Sequence, residues 1–181
     1  MEAFECIDSR RSIRKFTEQP VSEETIRELV TMAGKAPSWK NTQVVRYTAV
    51  MDKELKDKIA EEAVLGYPYN TKTIHAAPVL MVQSIVTGIS GYEKDGTPTT
   101  PDGSHWQSFD GGLSAMAFCL AANAKGLGTV IQGIIDSKKT AELIGLPEDQ
   151  KVTAFISLGY PAKVPDARPR KTVDEILTIK K

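Results

Sequence analysis

Between Phe109 and Ala124 apolar residues recur at Leu113, Met116, Ala117, Leu120, Ala121 and Ala124, the spacing of one helical face, and glycine, alanine and serine fill much of the rest. A helix with so little side-chain bulk lets its neighbours approach closely, so the segment is predicted to be the central helix of the fold, ended by Gly126. Gln107, Asp110 and Asn123 argue against a membrane span, which needs about 20 consecutive apolar residues. The other elements must therefore pack around this helix as the layers of a globular domain.

Those elements can be read in order. A short helix around Phe4, Cys6 and Ile7 leads into Arg10–Phe16, and Pro20 breaks the chain. Ser22 then caps a second helix, with Glu23 and Glu24 in its first turn, where the dipole favours acids, and Ile26, Leu29, Val30 and Ala33 on one face. Gly34 and Pro37 end it. Residues 44–51 are β-branched and aromatic enough for a strand, and Asp52 caps a charged helix that turns Leu55, Ile59 and Ala63 inward. Pro78–Val86 is predicted to be a buried strand, Thr129–Ile131 and Val152–Leu158 further strands, and Ser137–Ile144 a helix. The stretch 88–104 is rich in Gly, Pro, Thr and Asp and has no period, which makes it a loop or lid excursion. The expectation for all 181 residues is one α+β domain.

Charge narrows the partners. The 23 basic and 23 acidic side chains cancel, so nothing draws the whole chain toward nucleic acid or anionic lipid. The opening Met1–Glu5 is acidic where a secretory signal would be basic, and the expectation is a cytoplasmic protein without a membrane segment. His75 and His105 stand far apart and lack ligand spacing, and Cys6 and Cys119 sit among apolar residues, so no metal site or disulfide is expected.

Four segments carry residues suited to chemistry. Arg10, Arg11, Ser12 and Arg14 offer guanidinium forks and a hydroxyl, the donors that phosphate oxygens take, although a basic stretch at a helix end reads the same way. Arg168 and Arg170, fixed around Pro169, offer a second such cluster or a surface tail. Ala36–Gln43 combines Pro37, Ser38, Trp39 and Asn41 and is either the lining of a polar ring or an ordinary turn. Gly126–Gly133 lacks the spacing of a phosphate-binding glycine loop, and its glycines suit close backbone approach to a flat ligand.

In this order and spacing the four segments resemble the nitroreductase family of FMN-dependent oxidoreductases over nearly the whole chain. The resemblance is carried by Ser9-Arg10-Arg11-Ser12-Ile13-Arg14-Lys15-Phe16 and by Ala36-Pro37-Ser38-x-x-Asn41-x-Gln43. It implies an α+β nitroreductase-like fold, with a central, mostly antiparallel sheet flanked by helices, in an interlocked homodimer whose two FMN sites are built from both chains. By the same resemblance Arg10, Ser12, Arg168 and Arg170 hold the phosphate with Arg11 close by, and Arg14 reaches the pyrimidine side. Pro37, Ser38, Trp39 and Asn41 come from the other subunit, Asn70 meets the polar edge of the flavin, and Gln132 and Gly133 bring backbone N–H to N5.

The implied activity is hydride transfer from NAD(P)H through flavin to a small acceptor such as a nitroaromatic or quinone, in ping-pong order, with Tyr67, Tyr69, Trp106 and Phe109 as pocket or packing aromatics. Cofactor chemistry of this kind needs no triad or carboxylate dyad, and none is visible. The chain departs from the family pattern at Val44-Val45-Arg46, where a Pro-Trp pair is commoner, and in its short middle excursion. Both departures bear on the acceptor. A same-fold enzyme with a dedicated dehalogenation or dehydrogenation, and a flavin-binding protein without turnover, stay open as alternatives.

Overall fold

The computed structural model describes residues 1–181, and its architecture follows from one strand. Strand β2 (Val79–Val86) has nearly every side chain buried, because helices cover the sheet on both faces. Alternation sends Val79 and Met81 to one face and Leu80 and Val82 to the other. The first face packs on α2 (Glu23–Ala33) and α5 (His105–Ala124) through Leu29, Ala115, Phe118 and Ala122. The second packs on α3 (Lys53–Glu62) and α4 (Pro68–Ala76) through Ile59, Ala60 and Ile74. The small side chains of α5 let it lie close over the sheet, as its composition predicts.

The sheet has the order β1-β2-β4-β3, where β1 is Val45–Val50, β3 is Gly128–Gln132 and β4 is Gln150–Gly159, and every pairing of these strands is antiparallel. Helix α6 (Ser137–Ile144) links β3 to β4, α1 (Ala3–Ser9) packs on α5, and α7 (Val173–Ile176) lies near the C-terminus. Caps fall where the sequence puts them. Ser22 Oγ accepts from Thr25 N at 3.1 Å, and Asp52 Oδ1 from Leu55 N at 2.8 Å. No helix is long and apolar enough to cross a membrane.

Two differences from the sequence reading have physical causes. Helix α5 starts at His105 rather than near Phe109, since its first turn, His-Trp-Gln-Ser, shows no apolar period. Helix α4 was not anticipated at all, because Pro68–Ala76 has no clear amphipathic face. It is held from outside: Pro68 starts the helix, and the buried Lys56 ammonium donates to the carbonyls of Ile74 (3.1 Å), His75 (3.4 Å) and Ala77 (2.6 Å) at its far end.

The arginine-bearing strip after α1 runs along the sheet. Ile13 N donates to Thr129 O at 2.9 Å, Ser12 bridges Thr129 in parallel, and Thr17 N donates to Tyr160 O at 2.9 Å. Glycines make the contact possible. A Cβ on Gly128 would lie 2.5 Å from Ile13 Cγ1, and one on Gly159 would lie 2.5 Å from Pro78 Cδ and 2.9 Å from Phe16 Cδ1.

Candidate active site

Two cavities flank the Arg10–Arg14 strip. The first, of about 480 Å³, is lined by Arg10, Arg11, Arg168 and Arg170 together with Phe4 and Met116. The two basic clusters from opposite ends of the chain therefore meet in one cavity, which their separation in sequence left open. Arg11 Nη1 is turned back onto the carbonyls of Asp8 and Arg10, while Arg10 Nε is buried without a hydrogen-bond partner. Such an orphaned guanidinium donor is costly unless an acceptor reaches it. A concentration of positive charge with a free buried donor is the donor set that an anion such as phosphate requires.

The second cavity, of about 350 Å³, is lined by Arg14, Lys15, Tyr67, Tyr69, Asn70, Lys72 and Gln132, among others. Helix α4 supplies Asn70, which is 8% exposed and whose Nδ2 donates to Ile134 O at 2.9 Å, a bond that fixes the helix against the chain leaving β3. Strand β3 supplies Gln132, 4% exposed. Its Oε1 accepts from Ser157 Oγ at 2.8 Å, and its Nε2 is buried without a partner. Arg14 Nη1 donates to Ser12 O at 3.1 Å. Beyond Gln132, a Cβ on Gly133 would meet nothing within 4 Å, so the backbone there is open to close approach. The lining therefore combines cationic side chains and amides with aromatic and apolar ones, a mixture suited to a flat heterocycle with carbonyl and ring-nitrogen acceptors.

The Pro37–Asn41 loop stands elsewhere. Pro37 and Ser38 line a separate cavity of about 360 Å³ with Thr42, Arg46 and Asp110. Trp39–Asn41 form a single 3₁₀ turn, in which Lys40 (φ 43°) and Asn41 (φ 57°) adopt left-handed backbone. Within one chain the structure thus gathers Arg10, Arg11, Arg168 and Arg170 around one cavity and Arg14, Asn70 and Gln132 around another. It does not bring Pro37, Ser38, Trp39 or Asn41 to either.

Sequence reasoning missed Ser157 and the side-chain role of Gln132. The signal was present, since a serine inside Phe155-Ile156-Ser157-Leu158 is a buried hydroxyl that needs a partner. A further cavity, of about 780 Å³, is a mostly apolar groove between α2 and the edge strand β1, lined by none of the residues of either arginine cluster. No group of three or more His, Cys, Asp or Glu side chains is placed to hold a metal ion.

Fold and site together define an α+β protein whose sheet-docked arginine strip separates a basic cavity from an amide-lined one. The Nitroreductase family profile matches residues 7–160, and the chain belongs to the nitroreductase family. It is 33% identical over 175 residues to the NADPH-flavin oxidoreductase of Vibrio harveyi, covering 92% of this chain and 69% of that protein. It is 26% identical to the iodotyrosine deiodinase of Nematostella vectensis, covering 99% of this chain and 75% of that one. A solved nitroreductase family protein from Streptococcus pneumoniae TIGR4 superposes with a TM-score of 0.86 at 21% identity, covering 99% of this chain and 100% of the other, and shows the same fold.

Proposed function

We propose that the protein is a cytoplasmic FMN-dependent oxidoreductase that takes hydride from NAD(P)H and delivers it to a small organic acceptor, working as a homodimer. The observation that carries this reading is the meeting of Arg10, Arg11, Arg168 and Arg170 around one cavity with Arg10 Nε buried and unpartnered. Those guanidinium groups, with Ser12 beside them, would hold the phosphate of FMN. Arg14, Asn70 and Gln132 would meet the polar edge of its ring, and the open backbone at Gly133 would allow approach to N5. Bound flavin supplies two-electron hydride chemistry. The residues around it would bind, orient and supply positive charge: Arg14 would stabilise negative charge on the pyrimidine side, and Gln132 Nε2, left without a partner while Ser157 binds Oε1, would be a second donor.

The homodimer is supported by what one chain leaves exposed. Phe4 is 89% exposed, and Val173, Ile176, Leu177 and Ile179 form an apolar run on the C-terminal segment with no cover of its own. The outer edge of β1 is unpaired beside the apolar groove of α2. A second copy would cover these surfaces and bring Pro37, Ser38, Trp39 and Asn41 to the flavin bound by its partner.

The test is an absorbance spectrum of the purified protein reconstituted with FMN, followed by anaerobic NADH and then NADPH. Bleaching of the oxidised flavin band by either nucleotide is the expected result, and a protein that cannot take up FMN overturns the reading. A dedicated dehalogenation is the second reading, favoured by the similarity to iodotyrosine deiodinase over nearly the whole chain. Reductive iodide release from an iodinated phenol, faster than reduction of nitroaromatics or quinones, would select it.

A further inference from the structure

Asp110, on the second turn of α5, is 2% exposed, and it hydrogen-bonds two segments far apart in sequence. Trp39 N donates to its Oδ1 at 3.0 Å and to its Oδ2 at 3.2 Å, and Ser90 Oγ donates to Oδ2 at 2.5 Å. Both donors are neutral. A carboxylate taken out of water and answered by neutral donors costs stability, so an uncharged side chain of similar size would serve the core better. What the carboxylate provides is two oxygens that accept from both donors at once without the side chain having to choose which atom faces which.

Each of the two segments needs to be held. After Trp39 the chain places Lys40, Asn41 and, past a right-handed Thr42, Gln43 at φ 43°, 57° and 50°, positive values that residues with side chains rarely adopt unless their surroundings impose them. Side chains also clamp this turn from within and behind it: Ser38 Oγ accepts from Gln43 N at 2.9 Å, and Arg46 Nη1 donates to Gln43 O at 2.7 Å. Ser90, for its part, roots the 88–104 excursion, which is folded on itself: Thr99 N donates to Gly91 O at 2.9 Å and Glu93 N to Thr97 O at 2.8 Å. The two segments also touch directly, where Lys40 Nζ is 3.1 Å from Glu93 Oε1, and the ring of Trp39 packs on Trp106 in the first turn of α5, 4.6 Å between centroids.

We propose that Asp110 is a positioning residue for the flavin site of the opposite subunit: it locks the Pro37–Gln43 loop onto the 88–104 excursion, so that α5 presents both to the second copy as one rigid piece. The excursion is then a fixed wall of that composite site. This rests on the reading above, in which Pro37, Ser38, Trp39 and Asn41 complete the partner's FMN site.

The experiment compares FMN affinity in wild-type, Asp110→Ala, Asp110→Asn and Ser90→Ala homodimers, with folding checked by circular dichroism. Losing charge-assisted hydrogen bonds should weaken FMN binding roughly ten- to a hundredfold in Asp110→Ala. Asp110→Asn keeps an acceptor for Trp39 N and an amide that can donate to Ser90 Oγ, so it should lose less, as should Ser90→Ala.

The deciding step is a mixed dimer that pairs an Asp110→Ala subunit with an Arg10→Ala/Arg168→Ala subunit, isolated through two different tags. One composite site in that dimer has both an intact loop and intact arginines, so tight FMN binding should return to one site per dimer although neither homodimer binds tightly. If Asp110→Ala does not fold, Asp110→Asn takes its place in the pairing. An FMN affinity unchanged in folded Asp110→Ala, or a mixed dimer without rescue, overturns the role of Asp110 and leaves the flavin assignment standing. A wild-type protein that is monomeric or takes up no FMN overturns both.

Discussion

Replacing Gly128 with alanine tests how the arginine strip is seated. The added carbon would lie 2.5 Å from Ile13 Cγ1, 2.7 Å from its Cβ and 2.9 Å from its Cγ2. A clash with a Cβ is not relieved by turning a side chain, and Ile13 is also held through its backbone N at 2.9 Å from Thr129 O. The strip must therefore move by about 1 Å to restore an ordinary carbon contact of about 3.5–4.0 Å. Gly-to-Ala in a strand would otherwise gain about 0.5–1 kcal/mol, whereas overpacking a fitted contact costs about 1–3 kcal/mol. The net is a loss of about 1–2 kcal/mol, or a Tm lowered by roughly 2–8 °C in a chain of this size. Ile13 lies between Ser12 and Arg14, so the same displacement should weaken FMN binding roughly tenfold or more. Thermal unfolding of the apoprotein and a flavin titration measure the two effects separately. A Tm that rises, with FMN affinity unchanged, would refute the argument that Gly128 exists to let the strip dock.

Gly133→Ala should behave in the opposite way: its added carbon meets nothing within 4 Å, so the Tm of the apoprotein should move little while reduction of bound flavin by nicotinamide slows in stopped flow. Lys56→Met keeps most of the buried stem but leaves the carbonyls of Ile74 and Ala77 without their donor, and the denaturant midpoint should fall by the equivalent of about 2–4 kcal/mol at unchanged m. Burial, outweighing its bonds to Ser114 and Gln83, holds the Tyr47 phenol above its ordinary value of 10.0. The unfolded chain then releases that proton first, so the contribution of Tyr47 to stability is complete below about pH 10 and is lost as pH rises through its folded pKa. Unfolding curves should show the advantage of wild type over Tyr47→Phe shrinking above pH 10; an advantage that stays constant would contradict the assignment.

The layered fold was legible because its signals are local. Ser22 and Asp52 cap the helices whose apolar spacing announced them, and Pro78–Val82 reads as a continuous apolar run because helices cover both faces of β2. Where local signals are weak, the reading stopped. Pro68–Ala76 is helical through Pro68 at one end and an ammonium 12 positions before Pro68 in the chain at the other, and no window of its own residues contains the second term. The first turn of α5 is likewise fixed by tertiary contact, through Gln107 Oε1, which accepts from Gly88 N at 2.8 Å.

The site divides along the same line. Residue types suggested the arginines as anion donors, because guanidinium groups and a hydroxyl are what phosphate oxygens take, and a single chain suffices to bring Arg10 and Arg168 to one cavity. Orientation is different, since it belongs to partners. Gln132 could be chosen from the sequence as a neighbour of Gly133, but its Nε2 becomes the free donor only because Ser157 Oγ binds the Oε1 of the same amide at 2.8 Å from the adjacent strand. Whether an amide presents N–H or oxygen to a ligand reverses the sign of its effect on a reduced, negatively charged ring. Ser157→Ala removes the bond that sets that choice without touching any cavity-lining atom of Gln132. If the orientation matters, the reduction potential of bound flavin should fall relative to wild type while the fold is kept. An unchanged potential would mean that Gln132 is held by packing alone and that its amide contributes no charge stabilisation.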